Sequence, residues 1–138
     1  MRTIKKIVPA TTNNLALGVK NFLLERGHTA RIINNGAVYD PTLGIYRKKK
    51  KSEKGTADII AGIHIIIRDY NSHERFFCQY VAFEIKNKET GDKMSEDQHE
   101  YKKEVETAGG LYVVIEKYQD VIDWYEQRKS VIYEKRNF

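Results

Sequence analysis

Ala57-Asp58-Ile59-Ile60-Ala61-Gly62-Ile63-His64-Ile65-Ile66-Ile67-Arg68 holds six isoleucines in twelve residues. Side chains branched at Cβ lose rotamer freedom in a helix and pack well on a pleated surface, so the run predicts a long strand. A second apolar run, Phe76 to Asn87 (FFCQYVAFEIKN), follows the polar stretch Asp69 to Arg75 and predicts the partner strand of a hairpin. Both runs carry charge where strand core is expected: Asp58 in the first, and Glu84 and Lys86 on either side of Ile85 in the second. Side chains alternate along a strand, so Glu84 and Lys86 project to one side while Phe83 and Ile85 project to the other, into packing. Two carboxylates and one ammonium then meet at the edge of one sheet. Leaving an isolated ion in such surroundings costs on the order of several kcal/mol even after relaxation, and a bound divalent cation would offset that cost.

Outward from this pair, the remaining elements follow in order. Thr11 or Thr12 can cap a first helix of about four turns, in which Leu15, Val19, Phe22 and Leu23 recur on one face until Gly27 ends the pattern. Ala30 to Asn34 reads as a strand closed by the turn Asn34-Asn35-Gly36. Val38 to Gly44 reads as a loop, and Ile45-Tyr46 leads into a lysine run. Beyond the hairpin, Ser95-Glu96-Asp97-Gln98 has capping-box spacing. The helix it opens places Gln98, Tyr101, Val105 and Ala108 near one face, and Gly109-Gly110 stops it. Leu111 to Ile115 is an uninterrupted apolar strand, the kind buried on both faces in the middle of a sheet. Asp120 to Lys129 makes a last helix on Val121, Ile122, Trp124 and Tyr125, and the charged end Ser130 to Phe138 is left to fray or to pack on a partner. The expected fold class is α/β, a mixed sheet flanked by helices in the order αβββαβ plus a C-terminal helix.

The 138 residues are read as one domain, 1–138, and 41% apolar residues suffice for a core beside one sheet. The charged fraction of 31% suits a soluble protein, and no apolar run approaches the roughly 20 residues that cross a bilayer. The basic start, Met1 to Lys6, precedes no apolar stretch of signal-peptide length, so a cytoplasmic location is expected. Cys78 has no second cysteine to pair with and reads as a small buried side chain. The net charge is +5, and Arg47, Lys48, Lys49, Lys50, Lys51 and Lys54 set against Glu53 account for all of it. Such a run is either a solvated loop or a contact for a polyanion, and beside a candidate metal site it points toward nucleic acid. His28, His64, His73 and His99 have no spacing that suggests zinc, and neither a phosphate-binding glycine loop nor a Gly-x-Ser-x-Gly elbow occurs.

Phosphodiester hydrolysis needs a nucleophilic water, neutralisation of charge building on the phosphate, and stabilisation of the leaving oxygen, all of which Mg²⁺ supports. Mg²⁺ takes hard oxygen ligands, typically one or two carboxylates with waters and substrate phosphate. Asp58 and Glu84 suit it by charge and type, and the backbone carbonyl of Ile85 can add a third oxygen. Lys86, on the same face as Glu84, would hold or polarise the attacking water.

Gly55-Thr56-Ala57-Asp58-Ile59-Ile60 followed by Phe83-Glu84-Ile85-Lys86 resembles the motifs of the PD-(D/E)XK nucleases, the restriction-endonuclease-like superfamily. With Ser95-Glu96-Asp97-Gln98 and Gly109-Gly110-Leu111-Tyr112-Val113-Val114-Ile115 added in order, the chain looks more closely like the stand-alone virus-type replication-repair nuclease (VRR-NUC) domains, over Leu15 to Tyr125. The resemblance implies a core of helix, three strands, helix and strand. It implies a Mg²⁺-dependent DNA endonuclease, with Mn²⁺ substituting, in which Asp58, Glu84, Lys86 and Gln98 are catalytic and Asp58, Glu84 and the Ile85 carbonyl hold the metal. Branched DNA such as Holliday junctions as substrate, a homodimer, and a phage or bacterial setting with a role in DNA repair are further implications. Arg47, Lys48, Lys49, Lys50, Lys51, Lys54 and Lys88 would then grip the DNA backbone without reading sequence. Two positions depart from the superfamily pattern: Asn13-Asn14 stands where many members place a Glu in the first helix, and Ala57 stands where the name has proline.

Each residue also has a plainer reading. Glu84 and Lys86 could be a surface pair worth under about 1 kcal/mol, and Gln98 could serve only to bond back to Ser95. Tyr101 at helical spacing could be core, and Lys88 a solvated loop residue. A catalytically inactive DNA-binding module that keeps the nuclease fold is the alternative function, with a structural or protein-binding domain behind it.

Overall fold

A computed structural model describes residues 12–33, 38–47, 55–87, 91 and 93–135. The elements are α1 (Thr12–Glu25), β1 (Thr29–Ile32), β2 (Val38–Asp40), β3 (Ile45–Arg47), β4 (Ile59–Arg68), β5 (Glu74–Ile85), α2 (Glu96–Thr107), β6 (Leu111–Ile115) and α3 (Tyr118–Gln127). Four strands form one open mixed sheet in the order β1-β4-β5-β6, and β2 and β3 form a small hairpin of their own. The β1/β4 and β4/β5 pairs are antiparallel and β5/β6 is parallel. A parallel pair cannot be closed by a tight turn, and the crossover is supplied by α2. The described residues therefore form an α/β unit, with a four-stranded mixed sheet and three helices.

The long β4 and β5 pair as the sequence predicts, from Ile59 opposite Phe83 to Arg68 opposite Glu74. Alternation sorts their side chains into two layers. Ile59, Ala61, Ile63, Val81, Phe83 and Ile85 face Leu15, Val19, Phe22 and Leu23 of α1 and Val121 and Tyr125 of α3, forming the main core. Each fully buried apolar side chain of this size contributes roughly 1.5–3 kcal/mol. On the opposite face, Ala57, Ala82 and Val105 make a smaller cluster with Ile60, Tyr101 and Tyr112, under α2. The candidate charged residues belong to this second layer.

Several expectations are corrected. Val38 to Gly44 is not a plain loop: β2 and β3 pair from Val38 opposite Arg47 to Asp40 opposite Ile45. The β-favouring pairs Val38-Tyr39 and Ile45-Tyr46 flank a turn that Gly44 closes at φ +63. The β6 strand lies at the edge of the sheet, next to β5 alone, so of its residues only Ile115 is fully buried. Its apolar run reflects helices packed over both faces rather than a strand on either side. Cys78 is exposed, because residues 74–78 of β5 run past the helices while 81–85 lie beneath them. Residues 131–133 pack on the chain's own sheet: Ile66 N–H donates to Val131 O at 2.7 Å and Tyr133 N–H to His64 O at 2.9 Å, extending the β4 edge beyond β1. No helix among the described residues is long and apolar enough to cross a membrane.

Candidate active site

Asp58 lies one residue before β4, where the ladder with β5 ends at Ile59 opposite Phe83. Its side chain takes over the next rung, with Oδ2 accepting the Ile85 N–H at 2.7 Å. On the other side its backbone carbonyl accepts the Ile33 N–H at 2.7 Å. In an antiparallel ladder the N–H and C=O of one residue face the same neighbour, so the Ile85 carbonyl lies on the Asp58 side of β5. Two carboxylates and this carbonyl thus come from two strand ends that the hairpin brings together.

Glu84 and Lys86 project toward α2 and are buried, at 3% and 6% exposure, so they are not a surface pair. Lys86 Nζ stands 3.5 Å from Glu84 Oε1. The Lys86 N–H donates to Ile115 O at 2.9 Å, which adds one rung to the β5/β6 ladder and holds this end of β5 in place.

Gln98 reconciles its two readings by filling both. Ser95 caps α2, with its Oγ accepting Gln98 N–H at 3.2 Å, while Gln98 Oε1 accepts Ser95 N–H at 2.9 Å. The same Oε1 accepts from Lys86 Nζ at 2.8 Å, and Gln98 Nε2 donates to Glu84 Oε1 at 2.7 Å. Lys86 Nζ also donates to the Lys93 carbonyl at 3.3 Å, in the segment leading into the cap. The capping box therefore presets the amide that joins the ammonium to the carboxylate.

Gly55 makes the approach of Asp58 to this helix possible. It has φ +81, and a Cβ there would lie 2.3 Å from Asp97 O and 2.8 Å from Gln98 N. Only glycine combines that left-handed backbone with so close a passage.

Burial pushes the Glu84 carboxyl up, the neighbouring Asp58 carboxylate pushes it further, and Lys86 pulls it part of the way back, leaving it at about 8. Near neutral pH Glu84 thus retains a proton that a cation placed beside it would displace. The donors are hard oxygens. Among the described residues no three His, Cys, Asp or Glu side chains converge as a cage. Carboxylate and carbonyl oxygens are the ligand type that Mg²⁺ takes, one or two carboxylates at a time with water and phosphate.

Of the residues expected at the site, Asp58, Glu84, Ile85, Lys86 and Gln98 come together. Lys48, Lys49, Lys50, Lys51, Lys54 and Lys88 lie outside the described residues, and Arg47 ends β3. Asn14, near the start of α1, is exposed. Tyr101 is half-buried, with its hydroxyl against that of Tyr80. Sequence reasoning gave no role to Tyr112, whose hydroxyl donates to Glu84 Oε2 at 3.4 Å. Its only signal was a hydroxyl within an otherwise aliphatic strand. Compared with protein-family models, with curated proteins and with solved structures, the chain gives no match.

Proposed function

We propose that this chain is a Mg²⁺-dependent DNA endonuclease with a PD-(D/E)XK site of the VRR-NUC kind. The observation that carries the reading is the convergence of Asp58, Glu84, Lys86 and Gln98 from three separate segments, with Glu84 and Lys86 buried, Gln98 bonded to both, and Asp58 bonded to the Ile85 N–H between them. A buried cluster of this kind costs stability without a cation, and residues kept at such a cost are functional-site candidates. The element order supports the same reading: α1, then β1, β4 and β5, then α2 and the parallel β6, with the β2/β3 hairpin as an insertion.

In this reading Asp58, Glu84 and the Ile85 carbonyl hold the cation, which when bound supplies an activated water and charge neutralisation at the phosphate. Lys86 is oriented by Gln98 Oε1 and the Lys93 carbonyl. Its ammonium is a mobile point charge, suited to a water or a phosphate oxygen. Gln98 anchors Glu84 at Oε1, and the Ile85 N–H anchors Asp58 at Oδ2, which limits how far each carboxylate must move during the reaction. DNA would be gripped by the lysine-rich segment, and a symmetric homodimer would present two sites to two strands of a branched substrate.

The test is cleavage of end-labelled single-stranded, duplex, flapped and four-way-junction DNA with Mg²⁺, Mn²⁺ or EDTA, wild type against Lys86→Ala. Cation-dependent products missing from the variant are expected. DNA retarded in a gel yet left intact with every cation would instead support an inactive binding module, the reading that Asn13-Asn14 favours in place of a helix carboxylate.

A further inference from the structure

Gln98 and Lys86 both reach one oxygen of Glu84, Oε1. A carboxylate anchored at one oxygen still rocks, because its terminal torsion has a broad, roughly two-fold profile. The other oxygen, Oε2, accepts from the Tyr112 hydroxyl at 3.4 Å. Tyr112 lies on β6 opposite Ala82, two residues before Glu84, on the face covered by α2. The small Ala82 leaves its ring room to reach along β5.

That ring is itself held. Tyr101 packs edge-on against it, with centroids 6.3 Å apart and planes at 72°, and the Tyr101 hydroxyl meets that of Tyr80. Tyr101 follows Gln98 by three residues, one turn along the same helix. One helix therefore secures both oxygens of Glu84, with Gln98 acting directly on Oε1 and Tyr101 acting through Tyr112 on Oε2.

Resting on the cation-site reading above, we propose that Tyr112 is a positioning residue that holds the Glu84 carboxylate plane in the orientation in which, with Asp58, it receives the divalent cation. A phenol suits the task chemically. A phenol hydroxyl donates one hydrogen bond and carries no charge in doing so. A neutral donor orients a carboxylate without cancelling the charge that attracts a cation, whereas an ammonium in its place would compete with the ion.

The experiment compares wild type with Tyr112→Phe in three ways: calorimetric titration with Mn²⁺, thermal melting in EDTA, and NMR of protein labelled at tyrosine Cζ with and without Mg²⁺. Tyr112→Phe is expected to melt close to wild type and to bind Mn²⁺ about tenfold more weakly. One tyrosine resonance that Mg²⁺ moves in wild type should be missing from the variant. A second variant, Tyr101→Leu, leaves Tyr112 in place but removes the ring behind it, and should weaken Mn²⁺ binding in the same direction. Equal Mn²⁺ affinity in all three proteins, with no tyrosine resonance moved by Mg²⁺, overturns the role of Tyr112 and leaves the cation site standing. Absence of cation uptake by wild type overturns both.

Discussion

Gln98 Nε2 donates to Glu84 Oε1 at 2.7 Å while Gln98 Oε1 accepts from both Lys86 and the backbone of its own cap residue, Ser95. One side chain thus starts a helix and arranges a charged pair, and substitution can separate the two tasks. Glutamate at this position preserves the capping box, since Ser-x-x-Glu caps as well as Ser-x-x-Gln. It cannot donate to Glu84, and it adds a third carboxylate to the cluster. We expect Gln98→Glu to keep its melting temperature within a few degrees (about 1 kcal/mol or less) and to lose cleavage by about tenfold or more, the value of one lost charge-assisted hydrogen bond. Thermal melting and cleavage rates measured side by side check this, and cleavage kept by Gln98→Glu but lost by Gln98→Ala would reduce Gln98 to a cap.

Glu84 makes the cation-free protein sensitive to pH in an unusual direction. Its folded value of about 8 lies above the ordinary 4.5 of the unfolded chain, so between those values the folded state holds a proton that the unfolded state has lost. Stability from this group is full below the unfolded value and falls as pH rises through the folded one. In EDTA, urea unfolding between pH 5 and pH 9 should show wild type losing stability relative to Glu84→Gln, with a slope of up to ~1.4 kcal/mol per pH unit. Adding Mg²⁺ should remove the difference in wild type alone. A Glu84→Gln profile parallel to wild type throughout would show that Glu84 ionises as an ordinary carboxylate.

His28 sets the acid limit. Its Nδ1 accepts the His64 N–H at 3.1 Å, which leaves Nε2 carrying the hydrogen that faces the Tyr125 hydroxyl at 2.9 Å. Burial is the main cause that lowers its value below the ordinary 6.5. The folded state therefore resists protonation that the unfolded state accepts, and stability is lost as pH falls below the unfolded value toward the folded one. Charging the ring would also leave Nδ1 with a hydrogen facing the His64 N–H. Melting temperature is expected to fall below about pH 6.5 in wild type and to vary less over that range in His28→Gln.

Much of this was legible because it is local. The isoleucine content of 57–68, the alternation around Glu84-Ile85-Lys86 and the spacing from Ser95 to Gln98 each point to one element, and each element forms. What stayed hidden depends on how distant elements meet. Leu111 to Ile115 reads as a central strand by composition, yet strand order is set by where α2 returns the chain. Cys78 looks buried among Phe76, Phe77 and Val81, but the helices stop short of it. Tyr112 gained a role only through the parallel register that sets it opposite Ala82, and no local pattern encodes that register.

Gly55 joins fold to site and gives the sharpest structural test. The backbone there is left-handed at φ +81, and an added Cβ would fall 2.3 Å from Asp97 O and 2.4 Å from its carbonyl carbon, which are backbone atoms that cannot rotate away. Gly55→Ala must therefore shift either the segment that carries Asp58 or the first turn of α2 that carries Gln98. A left-handed non-glycine residue alone costs on the order of 1 kcal/mol, and the clash adds to it. Because β4, β5 and the main core lie on the other side of Asp58, the fold itself should survive. We expect Gly55→Ala to unfold cooperatively with stability lowered by about 1–3 kcal/mol and to bind Mn²⁺ at least about tenfold more weakly, the second effect exceeding what the stability loss explains. Denaturant unfolding together with calorimetry at a temperature where the variant is fully folded checks both. Unchanged Mn²⁺ affinity there would mean that the seating of Gly55 against α2 serves the fold and not the site.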